Sequence, residues 1–447
     1  MTTSLDNELL LDAAAALREA NIAFADAHPG EGPGRQPVHT VYGGAQLFAA
    51  DTVSKLGAVA LRALDTYAPD AAALGRALNI GNHPALATID RRVRDKLARE
   101  PIEDFRIDFE DGYGNRPDAE EDGHAAAVAK ELAKGMRDDS LPPFIGVRVK
   151  PLNEELRARS VRTLDLVYTA LAESGGVPDR WIVTIPKITI IEQVEFTVSV
   201  LQQLERKLGL PAGVLRFEVM VETPQIVLDA SGRSLLPRLL DASGSRLRGA
   251  HFGTYDYTAG INITAAQQRM QHPSCEFAKH FMQAAFAGTE VWLSDGSTTV
   301  MPVPAHREAR GGPALTKSQL AENAASVHAA WRMHFDDVRH SLAGGFYQGW
   351  DLHPAQLVTR YSALYSFFLD GIDAAGVRLR NFVSKAAQAT LVGDVFDDAA
   401  TGQGLLNFFL RGINSGAITE AEALSMTGLT EEDFRSRSFV KIMRTKR

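Results

Sequence analysis

Two acids, Glu222 and Asp256, are the residues whose types and setting first suggest chemistry. RFEVMVETPQ, 216–225, opens with apolar and β-branched residues, as a buried parallel strand does. Thr223-Pro224 stops it, because proline cannot extend a central ladder. A carboxylate, Glu222, therefore stands at the carboxyl end of a buried strand, where α/β folds bind their ligands. GAHFGTYDYTAG repeats the arrangement: a short apolar run, a glycine turn, then Asp256. Acids at two strand tips can share a hard cation such as Mg²⁺, which takes a few carboxylates plus water and substrate oxygens. The competing reading makes each a loop acid bonded to nearby backbone. Their pairing, and the charge on other strand tips, favours a shared site.

FRIDFEDGYGNR groups Asp108, Glu110 and Asp111 around one strand end. Alternation sends Asp108 and Glu110 to one face and Asp111 to the other or into the loop. GVRVKP puts Arg148 in an otherwise apolar strand. A buried arginine needs an anion, either one of these acids or a substrate oxygen. TIPKI puts Lys187 just after a strand, with the same two readings. An acid-rich set with one arginine and one cation suits carbon–carbon chemistry beside a carbonyl. A 2-oxo or 2-hydroxy acid chelates the metal, which polarises its C=O or C–O⁻. The arginine stabilises an enolate oxygen, and a proton-transfer group completes the set.

These tips need a scaffold that brings strand ends together. HTVYGGAQLF looks like a short strand and a glycine turn into a helix. ALNIG (77–81), FRIDF (105–109), FIGVRV (144–149), WIVTIP (181–186), RFEVMVE (216–222) and GAHFG (249–253) read as strands, with VWLS (291–294) and GWDLHP (349–354) beside them. Between them, EEDGHAAAVAKELAKGM and IEQVEFTVSVLQQLERKLG have helical periodicity. Such alternation predicts a parallel sheet covered by helices, and roughly eight units suit a (β/α)₈ TIM barrel. No GxGxxG follows the first strand, which argues against a dinucleotide fold. The expected organisation is an N-terminal helical segment over 1–38, a barrel over 39–372 and a helical extension over 373–447. The basic tail RSRSFVKIMRTKR reads as a solvated end, or as a contact for the phosphates of a nucleotide-like cofactor.

Composition bounds the partners. The 447 residues are 45% hydrophobic and 23% charged, ordinary for a soluble globular protein. A net charge of −8 argues against nucleic acid as the main partner. No apolar run approaches a membrane span of ~20 residues, and MTTSLDNELL lacks the basic region of a secretory signal. The one cysteine, Cys275, excludes an internal disulfide and fits a cytoplasmic protein; it reads as a small buried hydrophobe. The 12 histidines are scattered without zinc spacing, and His251 and His353 read as hydrogen-bonded structural residues.

VRVKP, TIPKI, VMVETPQ, HFGTYDY and DLHPAQ, in this order, resemble the superfamily of the citrate lyase beta subunit, malyl-CoA lyase and related metal-dependent aldolases. DFEDGYGN is similar to the acidic signature of that group, and WLSDGSTTVMP, GFYQGWDLHP and FDDAAT resemble segments of malate synthases. The resemblance implies a lyase or synthase acting on an acyl-CoA thioester and a small 2-oxo acid. It implies Glu222 and Asp256 as ligands of Mg²⁺, with Mn²⁺ as the alternative cation. Arg148 would hold the oxo acid or enolate oxygen, and Glu110 and Asp111 would order the site or hold metal-bound water. The backbone of Phe252-Gly253-Thr254 would receive the oxo-acid carboxylate, with Lys187 alongside. Asp398 is similar to the malate synthase base, and Asp397 is its immediate rival. The resemblance also implies a homo-oligomer. A CoA-independent aldolase releasing pyruvate, and a non-catalytic metal- and acid-binding barrel, are the alternatives.

Overall fold

The computed structural model of the chain describes residues 10–32, 34–308, 311–384, 391–392, 395–396 and 399–445. Eight strands run in chain order: β1 (His39–Gly44), β2 (Asp104–Asp108), β3 (Phe144–Arg148), β4 (Trp181–Ile185), β5 (Phe217–Val221), β6 (Leu247–Phe252), β7 (Trp292–Ser297) and β8 (Gln348–Asp351). All pair in parallel, and β8 returns to β1, so the sheet closes into a barrel. The expected TIM-type architecture is the observed one. Helices including Asp118–Arg137, Arg157–Glu173, Glu192–Leu208 and Gln356–Leu369 cover its outside. ALNIG is not a strand. Ala71–Leu78 is a helix that buries Leu74, Ala77 and Leu78 and ends at Asn79 in the left-handed conformation. Five residues are too few for periodicity to separate a helix end from a strand.

Within the strands the pattern is the reverse of a greasy barrel. Phe105, Ile107, Val183, Ile185, Val219 and Val221 belong to the apolar core, while alternate residues of the same strands carry charge or hydroxyls. Arg106 of β2 reaches Glu218 of β5 with Nε to Oε1 at 3.0 Å, and Arg106 Nη2 also donates to Asp104 Oδ2 at 2.7 Å. Barrel interiors are ordinarily filled by Val, Ile and Leu. Here the lower part is held by an ion-pair lattice joined by Thr40, Thr184 and His251.

The C-terminal helices Ala399–Asn414, Glu420–Thr427, Glu431–Ser436 and Phe439–Thr445 follow the barrel. Asn414 anchors them to the entry of β1 by a reciprocal pair: Gln36 N–H donates to its Oδ1 at 3.0 Å, and its Nδ2 donates to Gln36 O at 2.8 Å. The basic tail is not simply a solvated end: Phe439 and Ile442 are buried, and Phe439 lies edge-on to Phe382. Helix Leu11–Ala27, within the expected N-terminal helical segment, buries none of its residues.

Candidate functional site

Strand register alone brings several of the expected residues to one mouth. Gly44 of β1 pairs with Asp108, and Asp108 pairs with Arg148, so three strand ends lie side by side. Arg148 is 2% exposed. Its Nε and Nη2 donate to Asp108 Oδ1 and Oδ2 at 2.7 and 2.5 Å, a two-pronged clamp that answers which anion the sequence required. Tyr42 and Trp350 lie over the guanidinium, 4.7 and 5.4 Å from its carbon. Neither aromatic is singled out by sequence, although both stand in the quoted strands HTVYGG and GWDLHP.

The third nitrogen of Arg148, Nη1, makes no hydrogen bond; Glu110 Oε2 lies 3.1 Å away but off line. A buried guanidinium with one unspent donor at a strand tip is suited to an oxygen on which negative charge develops. Asp108 also accepts the Glu110 and Gly112 amides at 3.0 and 2.7 Å, which fixes the turn carrying Glu110 and Asp111. Burial raises the Glu110 carboxyl, against Arg148 and Lys187. Asp111 is held low: against partial desolvation at the rim, Lys187 and then Arg148 favour its charged form.

Lys187 binds the two halves of the site. Its backbone is left-handed, φ 52°, a costly state for a lysine. In this conformation its N–H donates to Glu222 Oε1 at 2.8 Å while Nζ pairs with Glu110 and lies 3.3 Å from Asp111 and 3.6 Å from Asp256. Against the penalty of burial, Glu222 and Glu110 hold the ammonium above its ordinary value. Of the two sequence readings for Lys187, partnership with acids is what the fold displays.

Glu222 and Asp256 both neighbour this lysine, Glu222 at its backbone N–H and Asp256 at 3.6 Å from its ammonium. Glu222 is 2% exposed, and burial, augmented by the Asp256 charge and opposed by Lys187, pushes its carboxyl up to about 8. Gly253 makes room for it: a Cβ there would lie 2.5 Å from Glu222 Cβ and Oε2. The Gly253 N–H donates to Val221 O at 3.1 Å, so it is not free for an anion. The Phe252 ring is buried and packs 5.4 Å from Tyr257, which leaves only its backbone to the site. Thr254 is buried with an unpartnered Oγ1.

Among the described residues no group of three or more His, Cys, Asp or Glu side chains is arranged to hold a metal. The ammonium of Lys187 stands among Glu110, Asp111 and Asp256. Asp397 and Asp398 lie outside the described residues. His251 and His353 are hydrogen-bonded as expected: His251 Nε2 meets Glu218 at 2.8 Å, and His353 Nδ1 accepts the Ala355 amide at 3.1 Å. Cys275 is buried, its thiol pushed up to about 12 by burial.

Fold and site together define a parallel eight-stranded barrel with an acid-rich, arginine-floored mouth at the carboxyl ends of its strands. The chain belongs to the family described as a domain of unknown function, DUF6986, which matches residues 17–442. It is 33% identical over 148 residues to an L-malyl-CoA/beta-methylmalyl-CoA lyase of Haloarcula marismortui, a match covering 32% of this chain and 40% of that protein. The chain thus spans less than half of that curated relative. A citrate lyase structure from Burkholderia xenovorans LB400 aligns at 19% identity and a TM-score of 0.53, covering 77% of this chain and 93% of the other. The fold is therefore shared with that structure, and the resemblance of the motifs to this superfamily holds.

Proposed function

We propose that this chain is a carbon–carbon lyase or synthase acting on an acyl-CoA thioester and a small 2-oxo acid such as glyoxylate. One observation carries the reading: a buried arginine with an unspent donor faces four carboxylates gathered around one lysine at the barrel's carboxyl mouth. The likeness to a malyl-CoA lyase supports the substrate class. The donor set fits Mg²⁺ or Mn²⁺ by its chemistry: Glu222 and Asp256 offer hard carboxylate oxygens just beyond the ends of two neighbouring strands. Glu222 and Asp256 would hold the ion, which when bound polarises the oxo-acid oxygen.

The chain's own residues do the rest. Arg148 Nη1 donates to the oxygen on which charge develops, and Asp108 keeps the guanidinium plane fixed meanwhile. Glu110 and Asp111 order water at the mouth. Lys187 gives the substrate carboxylate a counter-charge, and the Thr254 end of the Phe252-Gly253-Thr254 turn offers it backbone donors. Asp398 takes a proton from the acyl carbon, with Asp397 as its rival. The new carbon–carbon bond forms to the carbonyl carbon and the resulting alkoxide takes up a proton. Cleavage runs the same steps in reverse; in a synthase, water instead hydrolyses the thioester and CoA leaves as its thiol. Assembly into homo-oligomers belongs to the same reading, and helix Leu11–Ala27, with no buried residue, offers a surface for it.

The test is thiol release from acetyl-CoA with glyoxylate and Mg²⁺, and glyoxylate release from malyl-CoA. Asp398→Asn should remove turnover while Asp397→Asn retains most of it. Absence of thiol release or cleavage with every acyl-CoA tried would end the thioester reading. Pyruvate formation from a hydroxy-oxo acid without CoA would replace it by the CoA-independent aldolase.

A further inference from the structure

The other mouth of the barrel is also built like a site. A cavity of about 440 Å³ opens there, lined by the first residues of most strands, among them Asp104, Phe144, Trp181, Trp292 and Gln348. That volume is in the range of pockets that take small ligands. Its floor is the ion-pair lattice of Asp104, Arg106, Glu218 and His251. Three atoms of that lattice have no partner: Arg106 Nη1, His251 Nδ1 and Asp104 Oδ1, on residues that are 0%, 2% and 1% exposed. Buried polar groups are ordinarily hydrogen-bonded, so two nitrogens and one carboxylate oxygen left over on one floor are capacity for a ligand.

The rim is cationic. Arg180, Arg216 and Arg248 line it, and among the described residues their one carboxylate contact is Arg248 to Glu290 at 3.8 Å. The Arg248 guanidinium lies over Trp292, its carbon 4.2 Å from the ring centre, and that of Arg180 over Phe144 at 5.1 Å. Aromatic stacking of this kind presents a guanidinium edge-on to a carboxylate or phosphate. Burial first, and then the nearby Arg216, disfavour the charge of Arg248, and Glu290 at 3.8 Å only partly offsets them. Like charges turned toward one cavity cost stability unless an anion joins them. Gly249 keeps the wall open: a Cβ there would meet Glu218 and Trp292 O at ordinary contact distance, taking up cavity space rather than clashing.

We propose that this amino-terminal mouth is a second binding site, for a small hydroxylated organic anion. Its carboxylate or phosphate would meet the Arg216–Arg248 rim, and its hydroxyl groups the unspent atoms of Arg106, His251 and Asp104. The site lies at the opposite end of the barrel from Glu222 and Asp256, and its existence does not rest on the reaction assigned to them.

Calorimetric titration of the full chain in EDTA with citrate, and separately with glucose 6-phosphate, tests this. Saturable binding of either supports the site, citrate indicating a carboxylate ligand and the sugar phosphate a phosphate ligand. The Arg216→Gln/Arg248→Gln variant should weaken that binding at least about tenfold, while Glu222→Gln leaves it unchanged. Both rim arginines are solvent-accessible, so the variant keeps its fold, verified by an unchanged melting temperature. No saturable binding of either probe, binding unaffected by the arginine variant, or binding lost in Glu222→Gln would overturn the proposal.

Discussion

Replacing Gly253 by alanine is the sharpest probe of the carboxyl mouth. The φ of Gly253 is −101°, so its backbone accepts an alanine without strain. The whole effect is therefore steric. The added Cβ would lie 2.5 Å from both Cβ and Oε2 of Glu222, and the Glu222 carboxylate is walled in at 2% exposure. Relief to ordinary contact needs a shift of roughly 1 Å, and overpacking of that size costs about 1–3 kcal/mol. A displacement of about 1 Å at a catalytic group is worth on the order of 100-fold in rate. Gly253→Ala should therefore lower the unfolding free energy by about 2 kcal/mol in urea melts. It should also weaken Mg²⁺ binding and cut turnover about 100-fold. Gly249→Ala, on the strand that leads into Gly253, is the control: its Cβ would find its nearest neighbours at 3.5 Å, and it should cost well under about 1 kcal/mol and leave turnover intact. Full activity and Mg²⁺ affinity in Gly253→Ala would refute a role for Glu222 at a metal.

Three further outcomes follow from the same geometry. Arg148→Lys forfeits both the two-pronged bond to Asp108 and the free Nη1 donor, so kcat should fall on the order of 10²- to 10³-fold, read in steady-state assays. Lys187→Met removes the ammonium that competes for the acids, and a part-exposed charge of this kind is worth about 1 kcal/mol. Calorimetry should show Mg²⁺ binding about fivefold tighter in that variant, and weaker binding would contradict the competition. His334 is buried neutral against Asp351 and Thr359, and burial first of all holds its pKa below the ordinary 6.5. The unfolded chain then binds a proton that the fold refuses, so stability is full above about pH 6.5 and declines below it until the lowered value is reached. Urea melts at about pH 7.5 and about pH 5.5 should show this loss, and His334→Gln should flatten it.

The carboxyl mouth was largely legible in the sequence because strand ends announce themselves. Pro224 after Glu222, and the glycine turn before Asp256, mark where a buried strand stops, and strand ends of a barrel share one rim. What remained hidden was partnership. The anion of Arg148 could have been any nearby acid, and only the register Asp108↔Arg148 selects it. The left-handed turn at Lys187 carries no signal, since neither glycine nor asparagine stands there. The lower lattice was missed for another reason. Arg106 and Glu218 sit inside strands recognised by their apolar neighbours, and nothing local says that residues 112 apart face each other across the barrel. ALNIG was misread because a short apolar run next to a glycine resembles either element.

That cross-barrel pair has a bearing on how the molecule is assembled. A fragment ending after β4 would carry Arg106 without Glu218, and one starting at β5 would carry Glu218 without Arg106. Each half would keep only its internal partner, Asp104 for Arg106 and His251 for Glu218, and would forfeit the cross-barrel pair. Closure of the ring completes the lattice. Gene duplication of a half, or splitting the chain at the β4–β5 connection, should therefore yield material that regains the lattice only when both pieces are present together.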